Sequence, residues 1–440
     1  MARGDHDRCR IAANRRNRSI EFCEQDTIAP LPHRIASLAI TAFTATCAAG
    51  RGREAIAAAL VTRTSGLIEN NFTTHPLPCY IGRVAGLEDI SLPEGFLAYE
   101  ARNQRLGWLG LLQDGFYEAA IAARERYGPD RVAVVLGTST SSIGETELAY
   151  RTLDADGRFN AVEREKKVHQ PHSLSAFVQK VLQLTGPCIT IATACSSSAK
   201  VFASAERLLY LGFADAVVVG GVDTLCDSVL FGFNSLGLVS AEPCRPFDKD
   251  RSGLSIGEAA GFALLERTDG REEPRAASPR LYLIGYGESS DAYHMSSPHP
   301  QGLGAEHAID DALARAGLVA DDIDYINLHG TASRANDEVE AAVVARRFPA
   351  STRASSTKAW CGHTLGAAGI LEAAITLISM ERDLIPGCLG THVPDPACGP
   401  QIALKNESFP AGAPRRIAMS NSFGFGGNNC CLAFAYEVDA

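Results

Sequence analysis

Four side chains carry the chemistry that can be expected of this chain. Cys195 lies in Thr193-Ala-Cys-Ser-Ser-Ser-Ala199, between a strand-like run, Ile189–Ile191, and a helix-like run, Lys200–Leu211. A helix N-terminus presents unpaired N–H groups and about half a positive charge. That setting favours thiolate and makes a cysteine a nucleophile, and the small residues around it leave room for a substrate. His329 ends a strand in Ile326-Asn-Leu-His-Gly-Thr331, and His363 stands before a small-residue helix in Ser356-Thr-Lys-Ala-Trp-Cys-Gly-His363. A helix N-terminus disfavours imidazolium, so His363 is expected neutral and able to donate a hydrogen bond. Lys358, five residues before His363, is expected to be partly buried and to need an anion, and Glu340, eleven residues after His329, is a candidate partner. Taken singly, each has a plainer reading: a core cysteine, a satisfied histidine, a surface lysine. The strand-to-helix elbow is what favours the catalytic one for Cys195.

These residues need elements to hold them. Val132–Leu136, Ile189–Ile191 and Ala216–Gly220 read as strands buried on both faces, and Tyr117–Arg126 as a helix, the pattern of parallel or mixed sheets covered by helices. The pattern repeats. Helix Glu118–Arg126 leads to strand Val132–Leu136 and then Gly137-Thr138, while helix Glu306–Ala316 leads to strand Ile323–Leu328, His329 and Gly330-Thr331, an offset of 330 − 137 = 193. A strand, a tight loop and a small-residue helix recur at Cys195 and at Lys358–Gly369. Such a repeat predicts a duplicated α/β fold with catalytic groups at matching helix starts. The charged stretch Arg267–Arg280 is the expected seam. The expected units are a variable extension, 1–33, a half with the cysteine, 34–275, and a half with the histidines and lysine, 276–440. The extension holds six Arg, lacks an apolar face and has too many acids for a transit peptide.

Composition narrows the function. The chain has 440 residues with a net charge of −10, so it is a poor general nucleic-acid binder. No apolar run reaches the length of about 18 residues that a spanning helix needs. Its 13 Cys lack zinc-site spacing and are expected to be mostly reduced core residues in a cytoplasmic protein. The loop Ser422-Phe-Gly-Phe-Gly-Gly-Asn428 has no Lys after its glycines and no nucleotide-binding fingerprint around it, so it reads as an aromatic turn beside a site.

Together TACSSSA, RPFDKDRSGLSIGEAAG, NLHGTAS, STKAWCGHTLGAAG and NSFGFGGNN resemble the β-ketoacyl-[acyl-carrier-protein] synthases of the elongating Cys-His-His type, from about Arg34 to about Tyr436. The resemblance implies the thiolase fold: two similar βαβαβ-type halves in a five-layer αβαβα arrangement, working as a homodimer or as a heterodimer with a ketosynthase-like chain. It implies that Cys195 carries the acyl group, that His329 and His363 are the catalytic histidines, and that Lys358 is the Lys of the family's STK motif, supported by Glu340. The amides of Cys195 and Phe425 match the oxyanion hole, and the Phe425 ring matches an aromatic gate. Thr331 and Ser333 match two phosphopantetheine-binding hydroxyls, and Phe233 is a candidate for the acyl pocket. No metal or bound cofactor is implied, because phosphopantetheine arrives on the acyl carrier protein. Arg102 with Arg105, and Lys166 with Lys167, are candidates for docking that acidic carrier. The chain departs from the family at Ser252 and Leu254, where Asp and Phe are usual; these are expected to affect packing.

The implied reaction is a decarboxylative Claisen condensation giving 3-oxoacyl-carrier and CO2, in a fatty-acid, aryl-polyene or polyketide-type pathway. The alternatives are a chain-binding partner subunit, which would have lost the nucleophile, a non-decarboxylative thiolase, and a Cys-His hydrolase.

Overall fold

Ten strands make the frame, five from each half of the chain. In the first half these are β1 (Leu38–Cys47), β2 (Val132–Gly137), β3 (Cys188–Ile191), β4 (Ala216–Asp223) and β5 (Ala259–Arg267). In the second they are β6 (Leu281–Ser290), β7 (Tyr325–Asn327), β8 (Arg353–Ser355), β9 (Arg415–Gly424) and β10 (Asn428–Glu437). The first set lies in the order β3-β2-β4-β5-β1 and the second in the order β8-β7-β9-β10-β6. Three strands of each set are parallel, and the remaining two add antiparallel. The two halves therefore share one order and one set of directions, as the sequence repeat predicts. They join where β1 pairs with β6 at Leu38 and Ala39.

Helices fill three further layers. The described helices include α1 (Phe116–Tyr127), α2 (Ser197–Tyr210), α3 (Leu303–Ala316), α4 (Arg334–Arg347) and α5 (Ala368–Glu381). Helices α2 and α5 follow the third strand of their halves and lie between the two sheets, in one apolar core with inward residues of β1, β4 and β10. A second core packs α1 on the outer face of the first sheet, and a third packs α3 and α4 on the outer face of the second. The result is the five-layer αβαβα stack. The small residues around Cys195 turn out to serve this packing. A Cβ on Gly369 would lie 2.5 Å from the Ala199 nitrogen, and Ser198 Oγ accepts a 2.9 Å hydrogen bond from the Ile370 amide. Room is needed there for helix against helix, as well as for substrate.

The computed structural model describes residues 34–268 and 280–438, which fall within one compact unit. The extension 1–33 and the middle of the expected seam lie outside the described residues. Strand β3 departs from expectation. It pairs only with β2 and ends the sheet, so Ile189 is 37% exposed where both faces were expected to be buried. Strand β7 is also shorter than the expected strand Ile323–Leu328, because only three residues pair on each side.

Candidate active site

Both halves place their chemistry in the loops after the second and third strands. In the first half, β3 runs through Ala194, whose φ of 52° is a strained left-handed value, to Cys195 and then α2. Ser196 and Ser197 clamp this elbow: the Ser196 hydroxyl donates to the Thr193 carbonyl, and Ser197 Oγ accepts from the Thr193 amide. In the second half, β7 leads to His329, and β8 leads through Lys358 to His363.

A buried carboxylate holds the loop after the second strand in each half. Asp223 accepts the amides and hydroxyls of Ser139 and Thr140 together with the Thr138 hydroxyl. Glu340 accepts the His329 amide at 2.8 Å, the Gly330 amide at 2.7 Å and the Asn421 side-chain amide at 3.2 Å. Glu340 was expected to support Lys358, but these bonds tie it to the backbone beneath His329. The partner of Lys358 is Glu372, on α5, with both side chains buried. A signal for it was present: Glu372 is the lone charge in an otherwise uncharged run, Gly369–Met380, and a carboxylate on a helix buried all round must find a partner.

His363 is fixed by backbone. Its amide donates to the Ser255 carbonyl at 2.7 Å, and its carbonyl accepts the Gly257 amide at 3.0 Å. This extended pairing sets it before the short turn Leu365–Ala367, so the N-terminus of α5 begins five residues further on, at Ala368. The motif Arg251–Gly257 thus has a job that sequence reading did not assign. Its fully buried Arg251 also pairs with Asp395 and donates to the Ser333 and Arg334 carbonyls.

These elements bring Cys195, His329, His363 and Lys358 together. Cys195 Sγ and His363 Nε2 are 3.0 Å apart, and the two imidazole rings stand at 86° with centroids 5.3 Å apart. The Lys358 ammonium meets the His329 carbonyl and lies 3.4 Å from His329 Nδ1. An ammonium has only donors, so Nδ1 facing it is unprotonated and the His329 proton sits on Nε2. Burial, with Lys358 beside them, holds both histidines well below the usual imidazole range. Both are neutral, as expected for His363, though desolvation and not a helix end is the cause. The expectation of a resting thiolate is overturned. Burial pushes the Cys195 thiol up to about 11, and the lowering influences of Lys358 and of the Phe425 amide do not offset it. The resting group is a thiol, with His363 Nε2 3.0 Å away.

A cavity of about 450 Å³ opens onto Cys195, His329 and His363. Phe425 and Phe233 line it and stack on each other at 5.5 Å. The Phe425 amide is directed at Cys195. The Thr331 and Ser333 hydroxyls, 2.9 Å apart, also line the cavity. So do Ser252 and Leu254, expected only to affect packing. Of the four basic candidates, three are paired with carboxylates, while Lys167 is exposed with no ion pair among the described residues. Arg102 is held by Glu258 and Glu88, Arg105 by Glu100, and Lys166 by Glu145 and Glu163. The cysteine sulfur and one nitrogen of each histidine lie within 4.8 Å of one another, close enough to share a metal ion. The Lys358 charge behind His329 opposes a second cation there.

The duplicated sheets and the Cys-His-His centre with its buried Lys define a thiolase-like architecture. Residues 102–270 match the beta-ketoacyl synthase N-terminal domain and residues 282–392 the C-terminal domain. The chain belongs to the beta-ketoacyl synthase family. It is 34% identical over 308 residues to nodulation protein E of Rhizobium meliloti (strain 1021), covering 69% of this chain and 75% of that one. It is 39% identical over 266 residues to 3-oxoacyl-[acyl-carrier-protein] synthase 2 of the same strain, covering 57% and 61%. Among solved structures, the ketosynthase (ApeO) in complex with its chain length factor (ApeC) from Xenorhabdus doucetiae matches with a TM-score of 0.80 at 36% identity, over 91% of this chain and 98% of that one. A beta-ketoacyl synthase from Burkholderia phymatum STM815 matches with a TM-score of 0.79 at 27% identity, over 92% and 100%.

Proposed function

We propose that this protein condenses an acyl thioester with malonyl-carrier protein, releasing CO2 and giving a 3-oxoacyl-carrier protein. The observation that carries the reading is the contact of His363 Nε2 with Cys195 Sγ, in a centre where a second neutral imidazole and a buried lysine stand alongside. In the first half-reaction the Cys195 sulfur attacks the acyl carbonyl. Its proton passes through His363 to the departing carrier sulfur, and the acyl group stays on Cys195. The Cys195 and Phe425 amides receive the tetrahedral oxyanion. Covalent catalysis of this kind divides one hard step into two. In the second, the bond from malonyl to its carboxylate breaks, CO2 leaves, and the electron pair forms an enolate. That enolate takes hydrogen bonds from His329 and His363 and attacks the acyl-Cys195 carbonyl; Cys195 leaves as the thiolate and takes a proton from solvent, which restores the thiol. Thr331 and Ser333 hold the phosphopantetheine arm that the carrier brings, so no resident cofactor is needed.

The partner chain in this reading is a second ketosynthase-like protein. The open edge of β3 supports it, since an unpaired strand edge is a template for another chain. The ketosynthase and chain length factor of Xenorhabdus doucetiae form such a pair. Fatty-acid, aryl-polyene and polyketide-type pathways are all consistent with this chemistry, and the cytoplasm is the proposed location. Among the described residues no helix is long and apolar enough to cross a membrane. Incubation with malonyl-carrier tests the reading. CO2 release, together with labelling of Cys195 by an acyl donor, is expected; labelling without CO2 release would instead indicate a thiolase or a hydrolase.

A further inference from the structure

The rim of the Cys195 cavity carries a cation that makes no direct contact with a carboxylate among the described residues. Arg334 opens α4, is exposed, and lines the cavity one residue beyond Ser333. Among the described residues its guanidinium has no hydrogen bond and no ion pair. The position is costly for a cation, because positive charge in a first helical turn opposes the helix dipole. The carboxylates nearby are already engaged: Asp395 pairs with Arg251, and Glu338 stands 3.5 Å from the same guanidinium. Arg251 also holds the Arg334 and Ser333 carbonyls, so the backbone carrying Arg334 is fixed, while its guanidinium feels Asp395 only at a distance and hydrogen-bonds to nothing among the described residues.

We infer that Arg334 is a positioning residue that binds the phosphodiester of the carrier's phosphopantetheine arm. The inference rests on the reading of the site as one that takes carrier-borne thioesters. The thioester must reach Cys195 at the inner end of the cavity, so the arm's amides pass Thr331 and Ser333. The phosphodiester, the arm's only charge, is at its outer end and meets the rim. A guanidinium matches it, offering paired N–H donors to two phosphate oxygens.

Three malonyl donors separate the possible roles: malonyl-carrier protein, malonyl-phosphopantetheine and malonyl-pantetheine, which lacks the phosphate. CO2 release by the full-length wild type and by Arg334→Ala is measured against concentration. The variant is expected to raise KM about tenfold for the two phosphate-bearing donors, the loss of one partly exposed charge-assisted contact. KM for malonyl-pantetheine should stay within about twofold, kcat should hold for all three, and Arg334→Lys should recover part of the loss. A defect with the carrier but not with malonyl-phosphopantetheine would overturn the inference in favour of acidic side chains on the carrier. Equal losses with all three donors would overturn it in favour of a structural role. A wild type that releases no CO2 from any donor would overturn the underlying reading and this inference with it, whereas an active wild type with an unselective variant overturns the inference alone.

Discussion

The ammonium of Lys358 is paired with Glu372, fourteen residues further along the chain, and through this pair the middle helix layer reaches the catalytic centre. The same ammonium meets the His329 carbonyl, so the charge that neutralises a carboxylate on α5 also fixes the tautomer of a catalytic imidazole.

Removing one partner of this buried pair should be severe. Glu372→Ala leaves Lys358 charged and unpaired in the core, a change that typically costs about 3–5 kcal/mol. Chemical denaturation should show that loss. The double variant Lys358→Met with Glu372→Leu should recover most of the stability yet remain inactive in decarboxylation, because apolar replacements restore packing and not the charge at His329. A double variant as unstable as the single one would mean that the pair is a net stabiliser of the fold.

The pH dependence has a definite sign. Burial pushes the Glu372 carboxyl up to about 7, against the pull of Lys358. Its ionised form, the one that pairs with Lys358, is therefore lost as pH falls through about 7. CO2 release at saturating malonyl-carrier should fall on the acid side of neutrality, and Glu372→Gln should flatten that limb. An unchanged limb in Glu372→Gln would assign it to another group.

Cys195 should behave as a thiol and not as a preformed thiolate. With the thiol pushed up to about 11, alkylation by iodoacetamide should keep rising, about tenfold per pH unit, from pH 7 to pH 10. A plateau below pH 9 would show a stabilised thiolate at rest.

The two half-reactions should separate. Cys195→Gln cannot form the thioester and should lose acyl labelling and condensation while still releasing CO2 from malonyl-carrier. His329→Ala or His363→Ala should lose decarboxylation by about 100- to 1000-fold, the effect of removing one preorganised donor, with labelling partly kept. Wild-type decarboxylation by both histidine variants would overturn their role as donors to the enolate.

Gly257 should tolerate no side chain. A Cβ there would lie 2.0 Å from the Cys361 carbonyl oxygen, in the loop that carries His363. Gly257→Ala must displace one backbone segment or the other. A lowered Tm and a decarboxylation loss larger than the loss of Cys195 labelling are expected, and an alanine variant with wild-type values would show that the loop can shift freely.

The sequence by itself determined whatever depends on neighbours along the chain. Cys195 follows its strand and precedes its helix because the apolar run before it and the small residues after it are local signals. The matched Gly137-Thr138 and Gly330-Thr331 pairs likewise announced the duplication before any packing was known. Glu372, by contrast, was legible as a residue in need of a partner but not as the partner of Lys358. Glu340, eighteen residues before Lys358, was the expected partner although Glu372 is only fourteen residues away, because chain distance does not decide contact; only the packing of α5 between the sheets places one carboxylate at the ammonium and the other beneath His329. The protonation of Cys195 and of the histidines was also decided by tertiary structure. A helix end contributes a fraction of a charge, while burial removes the whole hydration of an ion, and burial is set by elements hundreds of residues apart. Strand β3 shows the same limit. Its apolar residues read as buried on both faces, but whether a strand lies in the middle of a sheet or at its edge is a property of the strand order, which no local run of residues contains.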